Sequence, residues 1–250
     1  LKMTGQLVFV ASGNKKNKAS RIENREEKAK NLNPQFPIPN STREARFGGG
    51  HPNDSLVNNL PDKSTRVVID FKDGGKLFFN DQRKFGWMRL LPTLEVPEID
   101  FMKKVGPEPL EDDFTVELFI ERLEKRKNSG IKAVLLDQTV LAGVGNIYAD
   151  ESLFLAKIHP ETRVVNISRT KLVALHGDLL AVLKLAIKKG GSTDRNYVNA
   201  EGKKGSYIDF AQVFRREGLP CPSCGTKIIK IRVAGRGTHI CPKCQQKPKS

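Results

Sequence analysis

Short apolar runs rich in β-branched and aromatic residues, separated by polar turns, mark the first third of the chain. This pattern predicts strands at Thr65–Asp70, Lys76–Phe79 and Trp87–Leu91, after an apolar, β-prone start in LKMTGQLVFV. Asp73–Gly75 predicts a turn between the first two of these strands, because glycine adopts the positive φ values that tight turns need. The first third is therefore expected to form an antiparallel β-unit.

After residue 110 the apolar positions recur every three to four residues, which is the period of an α-helix. Helices are predicted at Thr115–Asn128, Lys132–Leu136 and Ser168–Lys189. The last of them is predicted to place five apolar residues on one face: Leu172, Leu175, Leu179, Leu183 and Ile187. Gly190 and Gly191 follow it and predict its end. This part of the chain is expected to be a small helical bundle.

The stretch LLDQTVLAGVGNIYADE, residues 135–151, combines an apolar helix end, a glycine break and a new helix start. Its two glycines predict tight backbone turns, and Asn146 is a good N-cap for the second helix. Asp150 and Glu151 are expected in the first turns, where the helix dipole favours acids. The free N–H groups at this helix start can bind an anion, although an ordinary helical hairpin of a core explains the spacing equally well.

Three segments have no clear periodicity. Ser12–Gly50 is rich in Lys, Asn, Glu and Arg and ends in three glycines, so a mobile loop is expected, with room for a short charged helix at Glu23–Lys30. Four prolines in Pro92–Pro109 indicate a linker. Gly190–Tyr207 is polar and rich in glycine, which predicts a loop.

The charge of the chain indicates the kind of partner it binds. Its 250 residues are enough for two domains, and they carry 43 Lys and Arg against 28 Asp and Glu, a formal net charge of +15. This excess favours a polyanionic partner, nucleic acid first, over a basic protein that has no such partner. The sequence contains no run of about 18 apolar residues, so no membrane-spanning helix is predicted. The apolar start lacks the pattern of a signal peptide.

Four cysteines form two Cys-x-x-Cys pairs, Cys221 with Cys224 and Cys241 with Cys244, and 16 residues separate the pairs. Four thiolates at this spacing are typical of tetrahedral Zn²⁺. They leave no ligand position open, so one structural zinc ion is predicted. The pairs also favour a metal site in a reducing compartment over a disulfide framework.

The residues between the two pairs alternate in polarity. Lys227–Val233 and Thr238–Ile240 predict a β-hairpin with Gly235-Arg236-Gly237 at its tip. An arginine on a tip held by zinc can clamp a phosphate or enter a minor groove. The alternative is an exposed turn arginine without a ligand.

Three motifs together resemble the formamidopyrimidine-DNA glycosylase / endonuclease VIII family, and its formamidopyrimidine branch most closely. They are IKAVLLDQTVLAGVGNIYADE, the loop NDQRKFG and GRGTHICPKCQ at the zinc site. The resemblance implies an α+β fold with three parts. These are an antiparallel β-sandwich, a helix–two-turn–helix domain and a C-terminal β-hairpin zinc finger.

The same resemblance predicts domain boundaries. Residues 1–106 are the remainder of the N-terminal β-sandwich catalytic domain, with an insertion at about 12–50. Residues 107–215 are the helix–two-turn–helix DNA-binding domain, including a loop at 190–207 that caps the lesion. Residues 216–250 are the zinc finger.

The resemblance also implies six DNA-binding residues: Met3, Arg83, Phe85, Lys132, Asn146 and Arg236. The first three fill the void left by a flipped base, where the arginine contacts the orphaned base and the phenylalanine wedges beside it. The other three grip the phosphates around the flipped nucleotide. Without the resemblance, a methionine in a sheet core, an exposed arginine and a core phenylalanine are the commoner interpretations.

The implied function is base-excision repair by a bifunctional enzyme. It is a DNA glycosylase and abasic-site (β/δ-elimination) lyase that removes oxidised purines, such as 8-oxoguanine and formamidopyrimidines. Family members use an N-terminal proline amine as nucleophile and a neighbouring glutamate as acid and base. The sequence begins with Leu1 and has no Pro-Glu start, so an N-terminal portion is expected to be missing and the chain is expected to bind damaged DNA without cutting it.

The implied partner is double-stranded DNA with an oxidised or abasic lesion, bound by a monomer with no membrane involved. The implied location is the cytoplasm of a bacterial cell, in association with the nucleoid. Three alternatives stay open. They are a catalytically inactive protein that binds damaged DNA, a glycosylase of the endonuclease VIII branch specific for oxidised pyrimidines, and an RNA- or ribosome-binding protein.

Overall fold

A computed structural model describes residues 5–11, 46–50, 60–193, 199 and 204–247. The chain forms two compact units, one of Leu1–Met88 with Arg195–Lys203 and the other of Arg89–Asp194 with Lys204–Ser250. The three-part division at residues 106/107 and 215/216 stays a prediction. No helix within the described residues is long and apolar enough to cross a membrane.

The first unit holds a four-stranded antiparallel sheet in the order β2-β1-β4-β3. Its strands are β1 Gly5–Val10, β2 Arg46–Gly50, β3 Thr65–Asp70 and β4 Lys76–Asp81. Val8 and Val10 of β1 pack with Phe78 of β4 in a buried cluster, because alternate side chains of a strand share one face. The strands predicted at residues 65–70 and 76–79 are confirmed.

The predicted turn between β3 and β4 is also confirmed. The carboxylate of Asp73 accepts a hydrogen bond from the N–H of Gly75 at 2.9 Å. Gly74 between them has a φ of +86°, a value that residues with a Cβ rarely adopt. The local chemistry of three residues therefore sets the register of this strand pair.

Two expectations for this unit are wrong. The end of the expected loop at residues 12–50 is a strand, because β2 pairs with β1 and buries Gly48 and Gly50. Glycines have no side chains that could alternate in polarity, so such a strand leaves no pattern in the sequence. Trp87–Leu91, which runs from the end of this unit into the start of the second, forms no strand, and Leu90 is 98% exposed. This segment lacks the buried face that stabilises a strand.

The second unit is a helical bundle followed by a two-stranded hairpin. Its elements are α1 Asp100–Lys104, α2 Val116–Glu124, α3 Ile131–Leu135, α4 Asn146–Leu155, α5 Arg169–Lys188, β5 Ile229–Val233 and β6 Arg236–Ile240. The core takes its largest side chains from α2 to α5: Phe119, Leu123, Ile131, Leu135, Leu153, Leu175 and Leu179. The predicted bundle is confirmed, although the second helix ends at Glu124 and not at Asn128.

Side-chain caps fix where α2 and α5 begin. Thr115 accepts the N–H of Leu118 at 3.2 Å, and Ser168 accepts the N–H of Lys171 at 3.4 Å. Ile187, predicted on the apolar face of α5, is 67% exposed, so that placement is wrong. Each four-residue step advances about 40° beyond a full turn, so three such steps after Leu175 rotate residue 187 off the face.

A glutamine side chain shapes the glycine turn between α3 and α4. Gln138 accepts the N–H of Gly143 at 2.9 Å through Oε1 and donates to the carbonyl of Val144 at 3.1 Å through Nε2. Gly145 is the N-cap residue of α4, and Asn146 is the first residue inside the helix. The prediction that Asn146 caps this helix is therefore wrong, because Gly145 holds the N-cap position and no side chain in the described part of the chain caps the helix start.

The predicted hairpin is confirmed, with a tighter turn than expected. Val233 pairs with Arg236, and only Ala234 and Gly235 lie between them. Their φ values of +50° and +73° have the signs of a type I′ turn, which suits the twist of antiparallel strands. Arg236 is thus the first residue of β6, directly after the turn.

Candidate nucleic-acid interface

The start of α4 is bonded directly to the hairpin. Asn146 donates from Nδ2 to the carbonyl oxygen of Gly237 at 3.0 Å. Gly237 follows Arg236, whose side chain is exposed. The first N–H groups of a helix have no partner within that helix and attract anions. Asn146 is therefore bonded to the residue that follows Arg236, a second predicted phosphate-binding residue, at a junction beside a helix start.

Lys132, the third predicted phosphate-binding residue, lies under this junction with its side chain fully buried. Its Nζ is 2.6 Å from Oδ1 of Asp150, 2.5 Å from Oγ1 of Thr238 and 3.4 Å from the carbonyl oxygen of Gly237. Burial lowers the pKa of Lys132, and the charge of Asp150 raises it. Lys132 thus connects α3 to α4 and β6, and its contact with a phosphate stays a prediction.

Asp150 completes the same junction from α4. Its side chain is fully buried, and its Oδ2 accepts the backbone N–H of His239 at 3.0 Å. Burial raises the pKa of Asp150 to about 6, although the charge of Lys132 and the bond from His239 act in the opposite direction. The sequence predicts Asp150 in the first turns, where the helix dipole favours acids. That interpretation is wrong, because α4 begins at Asn146 and Asp150 lies one turn further on.

The neighbouring Glu151 anchors the segment that leads to the cysteines. Its carboxylate accepts three consecutive backbone N–H groups, those of Gln212 at 2.6 Å, Val213 at 3.0 Å and Phe214 at 2.8 Å. Burial raises the pKa of Glu151, and these three bonds lower it. The sequence shows an Asp-Glu pair inside an apolar helix, but not the distant backbone groups that the pair binds.

The four predicted metal ligands converge. The sulfur atoms of Cys221, Cys224, Cys241 and Cys244 all lie within 4.8 Å of one another. The Sγ atoms of Cys221 and Cys244 are 3.9 Å apart, and those of Cys224 and Cys241 are 3.4 Å apart. A tetrahedral Zn²⁺ with sulfur at about 2.3 Å requires sulfur separations of about 3.8 Å. The cluster therefore fits this ion.

In the first unit, the loop after β4 presents two predicted DNA-binding residues. Buried Asp81 accepts the N–H groups of Arg83 at 3.1 Å and Gly86 at 2.6 Å. The guanidinium carbon of Arg83 lies 4.7 Å from the ring centre of Phe85, which is 55% exposed. A Cβ on Gly86 would lie 2.5 Å from the ring of Phe79, so this position needs glycine. The loop therefore displays an arginine stacked on an exposed phenyl ring.

Other predicted site residues lie outside the described part of the chain. Met3 is among them, as are residues 194–198 and 200–203 of the predicted capping loop. The two ends of that loop are described. Ser192 and Ser206 form a β-bridge, and the N–H of Gly205 donates to Oγ1 of Thr193 at 2.8 Å. The ends are thus closed against each other within the second unit.

Comparison with known proteins identifies the family. Residues 105–197 match the formamidopyrimidine-DNA glycosylase H2TH domain, and residues 218–247 match the zinc finger found in FPG and IleRS. The formamidopyrimidine-DNA glycosylase of Streptococcus pyogenes is 44% identical over 189 residues, which cover 75% of this chain and 68% of the relative. The chain belongs to the formamidopyrimidine-DNA glycosylase family. The resemblance found in the sequence is confirmed.

Further relatives agree with this assignment. The formamidopyrimidine-DNA glycosylase of Roseiflexus sp. is 48% identical over 186 residues, 74% of this chain and 67% of the relative. A solved complex between the Lactococcus lactis Fpg and DNA that contains an abasic site has a TM-score of 0.68 at 40% identity. It covers 81% of this chain and 75% of that chain, and the α+β fold is confirmed. The chain spans about two thirds of the length of its curated relatives, 66% for that of Desulforamulus reducens.

Proposed function

We propose that the protein acts in base-excision repair, as a DNA glycosylase with abasic-site lyase activity that removes oxidised purines from duplex DNA. The observation that carries this proposal is the junction of Asn146 and the Arg236 hairpin at the start of α4, in a member of this family. Solved relatives are bound to DNA that contains an abasic site or a Fapy-dG lesion. The net charge of +15 suits the same partner.

The junction can hold a distorted DNA backbone. Flipping a nucleotide out of the duplex costs a few kcal/mol. A hydrogen bond to a charged group contributes about 1.5–3 kcal/mol, so two or more such contacts offset that cost. The guanidinium of Arg236 offers a fork of donors, and the start of α4 offers backbone N–H groups. Together they suit the phosphates beside an extruded nucleotide.

We also propose that Cys221, Cys224, Cys241 and Cys244 bind one structural Zn²⁺. When bound, the ion cross-links the two cysteine pairs and leaves no position for a water or substrate ligand. The part of the chain that leads into β5 and the part that follows β6 are then joined. The ion thereby fixes the base of the hairpin that carries Arg236.

For the loop of the first unit, we propose that Arg83 and Phe85 fill the gap left by the extruded base. The exposed guanidinium of Arg83 can bond to the edge of the orphaned base, and the exposed ring of Phe85 can wedge into the stack. Asp81 supports this proposal, because it accepts the backbone N–H groups of Arg83 and Gly86 and so holds the turn that contains Phe85.

Binding measurements with the zinc-loaded chain test the proposal. We expect a duplex that contains a tetrahydrofuran abasic analogue to bind more tightly than the same duplex without it. Equal affinity for both would overturn the proposal. Nicking of an 8-oxoguanine duplex but not of a thymine glycol duplex supports the purine-specific enzyme, and the reverse preference indicates a pyrimidine-specific one. Selective binding without nicking is the result expected of a chain without a Pro-Glu start, and the same assay on a chain that carries such a start separates the enzyme from a protein that only binds damage.

A further inference from the structure

We propose that Asp150 is a positioning residue, which sets the angle of the zinc-finger hairpin against α4 and so places Arg236 for its phosphate. This inference rests on the proposed function, because its consequence is measured as DNA binding. Its structural part is independent of DNA. It concerns how firmly residues Gly237–His239 are held.

The two oxygens of Asp150 bind two different elements. Oδ1 is 2.6 Å from the ammonium of Lys132, which comes from α3, and Oδ2 accepts the N–H of His239 in β6 at 3.0 Å. Both charged side chains are fully buried. The carboxylate therefore joins two bundle helices to one strand of the hairpin.

The buried ion pair directs its polar groups to the hairpin next to Arg236. Lys132 reaches the hydroxyl of Thr238 at 2.5 Å and the carbonyl of Gly237 at 3.4 Å, and Asp150 takes the next N–H. The three consecutive residues after Arg236 are thus bonded to the Lys132–Asp150 ion pair. A buried ion pair is weak evidence for a stability role, because apolar residues of similar volume often replace one without loss. Its placement here favours a role in geometry.

A second attachment point is what a hairpin of this kind needs. The cysteine pairs lie at the two ends of the β5–β6 hairpin, and an isolated two-stranded hairpin is only marginally stable, so further contacts are needed to hold it in one orientation. Asn146 and Asp150 are four residues apart, so they lie on one face of α4, and both bond to the strand that begins with Arg236. Asp150 is the buried member of the two and carries the charge.

The first test replaces Asp150→Asn in the full chain loaded with zinc. Asparagine still accepts the N–H of His239 but loses the charge that pairs with Lys132. We expect affinity for a tetrahydrofuran duplex to fall about tenfold, as for one lost charge-assisted contact, while zinc content stays at one ion. Glu121→Gln is the matched control. It also removes one carboxylate charge, but from an exposed ion pair with Lys125, and exposed pairs contribute little.

A double-mutant cycle shows whether the loss passes through Arg236. In an Arg236→Ala background, Asp150→Asn should lower affinity less than twofold, because the side chain that it positions is absent. An equal tenfold loss in both backgrounds would overturn the proposal. So would unchanged affinity in Asp150→Asn with normal zinc content.

Hydrogen exchange tests the same idea without DNA. Backbone amides of Gly237–His239 should exchange at least tenfold faster in Asp150→Asn than in the unchanged chain. The exchange rates of the β5 amides nearest the cysteine cluster should not change. If Asp150→Asn does not fold, Lys132→Met with Asp150→Leu removes both charges and keeps apolar volume. That variant should fold, bind zinc and show the same fast exchange; protected amides would contradict the proposal. If the unchanged chain does not prefer damaged DNA, the proposed function fails, and the exchange result still decides the role of Asp150.

Discussion

The loop after β4 and the junction between α4 and the hairpin each hold an exposed arginine next to a buried aspartate. In the loop, Asp81 binds backbone N–H groups two and five residues further along the chain. At the junction, Asp150 binds an N–H group 89 residues away and a lysine from another helix. Asp81 thus organises a loop through local bonds, whereas Asp150 joins three elements, α3, α4 and β6.

This difference predicts how each site responds to mutations of the protein. The loop of Arg83 depends on β4, which carries it, and on Gly86, which packs against the ring of Phe79. A junction assembled from distant elements fails when any one of those elements loosens, including the cysteine cluster that holds the ends of the hairpin. Perturbations of the zinc site should therefore affect Arg236 and leave the loop of Arg83 unchanged.

The largest effect is expected from Cys241→Ser, which removes one of four thiolates. Zinc binding contributes about 10 kcal/mol or more to the folding of small zinc domains, so the hairpin should lose its fold together with the ion. Affinity for a tetrahydrofuran duplex should fall more than about 100-fold. Zinc content by mass spectrometry and affinity by fluorescence anisotropy measure both results. Retained zinc would contradict the ligand role of Cys241, and unchanged affinity after loss of zinc would show that the finger does not contribute to DNA binding.

Asp81→Ala tests the local half of the comparison. It leaves the N–H groups of Arg83 and Gly86 without their acceptor, and should lower the free energy of unfolding of the first unit by about 2 kcal/mol. Urea denaturation followed by fluorescence of Trp87, the single tryptophan, measures this change. Asp73→Ala is the matched control, because that exposed aspartate accepts one turn N–H and should contribute less.

Elements that depend on neighbouring residues could be predicted from the sequence. The turn at Gly74 and the cap at Ser168 lie where glycine and serine chemistry places them. The strand of β2 could not be predicted, because three glycines give no alternation and its partner is distant in sequence. Trp87–Leu91 shows the reverse error, because β-prone residues form a strand only where a sheet offers them a face.

The same limit applies to the candidate site. Spacing alone predicted the four cysteines, which cluster as expected, and a motif resemblance predicted Arg83, Asn146 and Arg236, whose contacts with DNA stay predictions. Neither showed that Lys132 is buried or that Asp150 bonds to His239, because such contacts join segments about 100 residues apart and depend on how the bundle packs. An acidic pair in an apolar helix was the only signal, and a helix dipole explained it equally well.

Arg236→Ala is expected to weaken binding by about tenfold, whatever the base opposite the lesion. A phosphate contact carries no sequence information, and its loss should also reduce the slope of log affinity against log salt by about 1. Arg236→Lys keeps the charge but not the fork of donors, so its affinity should lie between those of the unchanged chain and Arg236→Ala. Arg169→Ala, which breaks an exposed pair with Glu117, is the control for removal of one charge. An effect of Arg236→Ala that varies with the opposite base would contradict a phosphate role.

Arg83→Ala should have the smallest effect on mean affinity, about 1 kcal/mol, but it should change specificity. If Arg83 bonds to the edge of the orphaned base, the unchanged chain distinguishes the four opposite bases, and the variant binds them almost equally. Affinity for tetrahydrofuran duplexes with each opposite base measures this spread. Arg236→Ala should keep the spread while lowering every value, which separates an arginine that reads a base from one that holds a phosphate. A full spread in Arg83→Ala would assign discrimination to other residues, and the locally built loop would then only support the stack through Phe85.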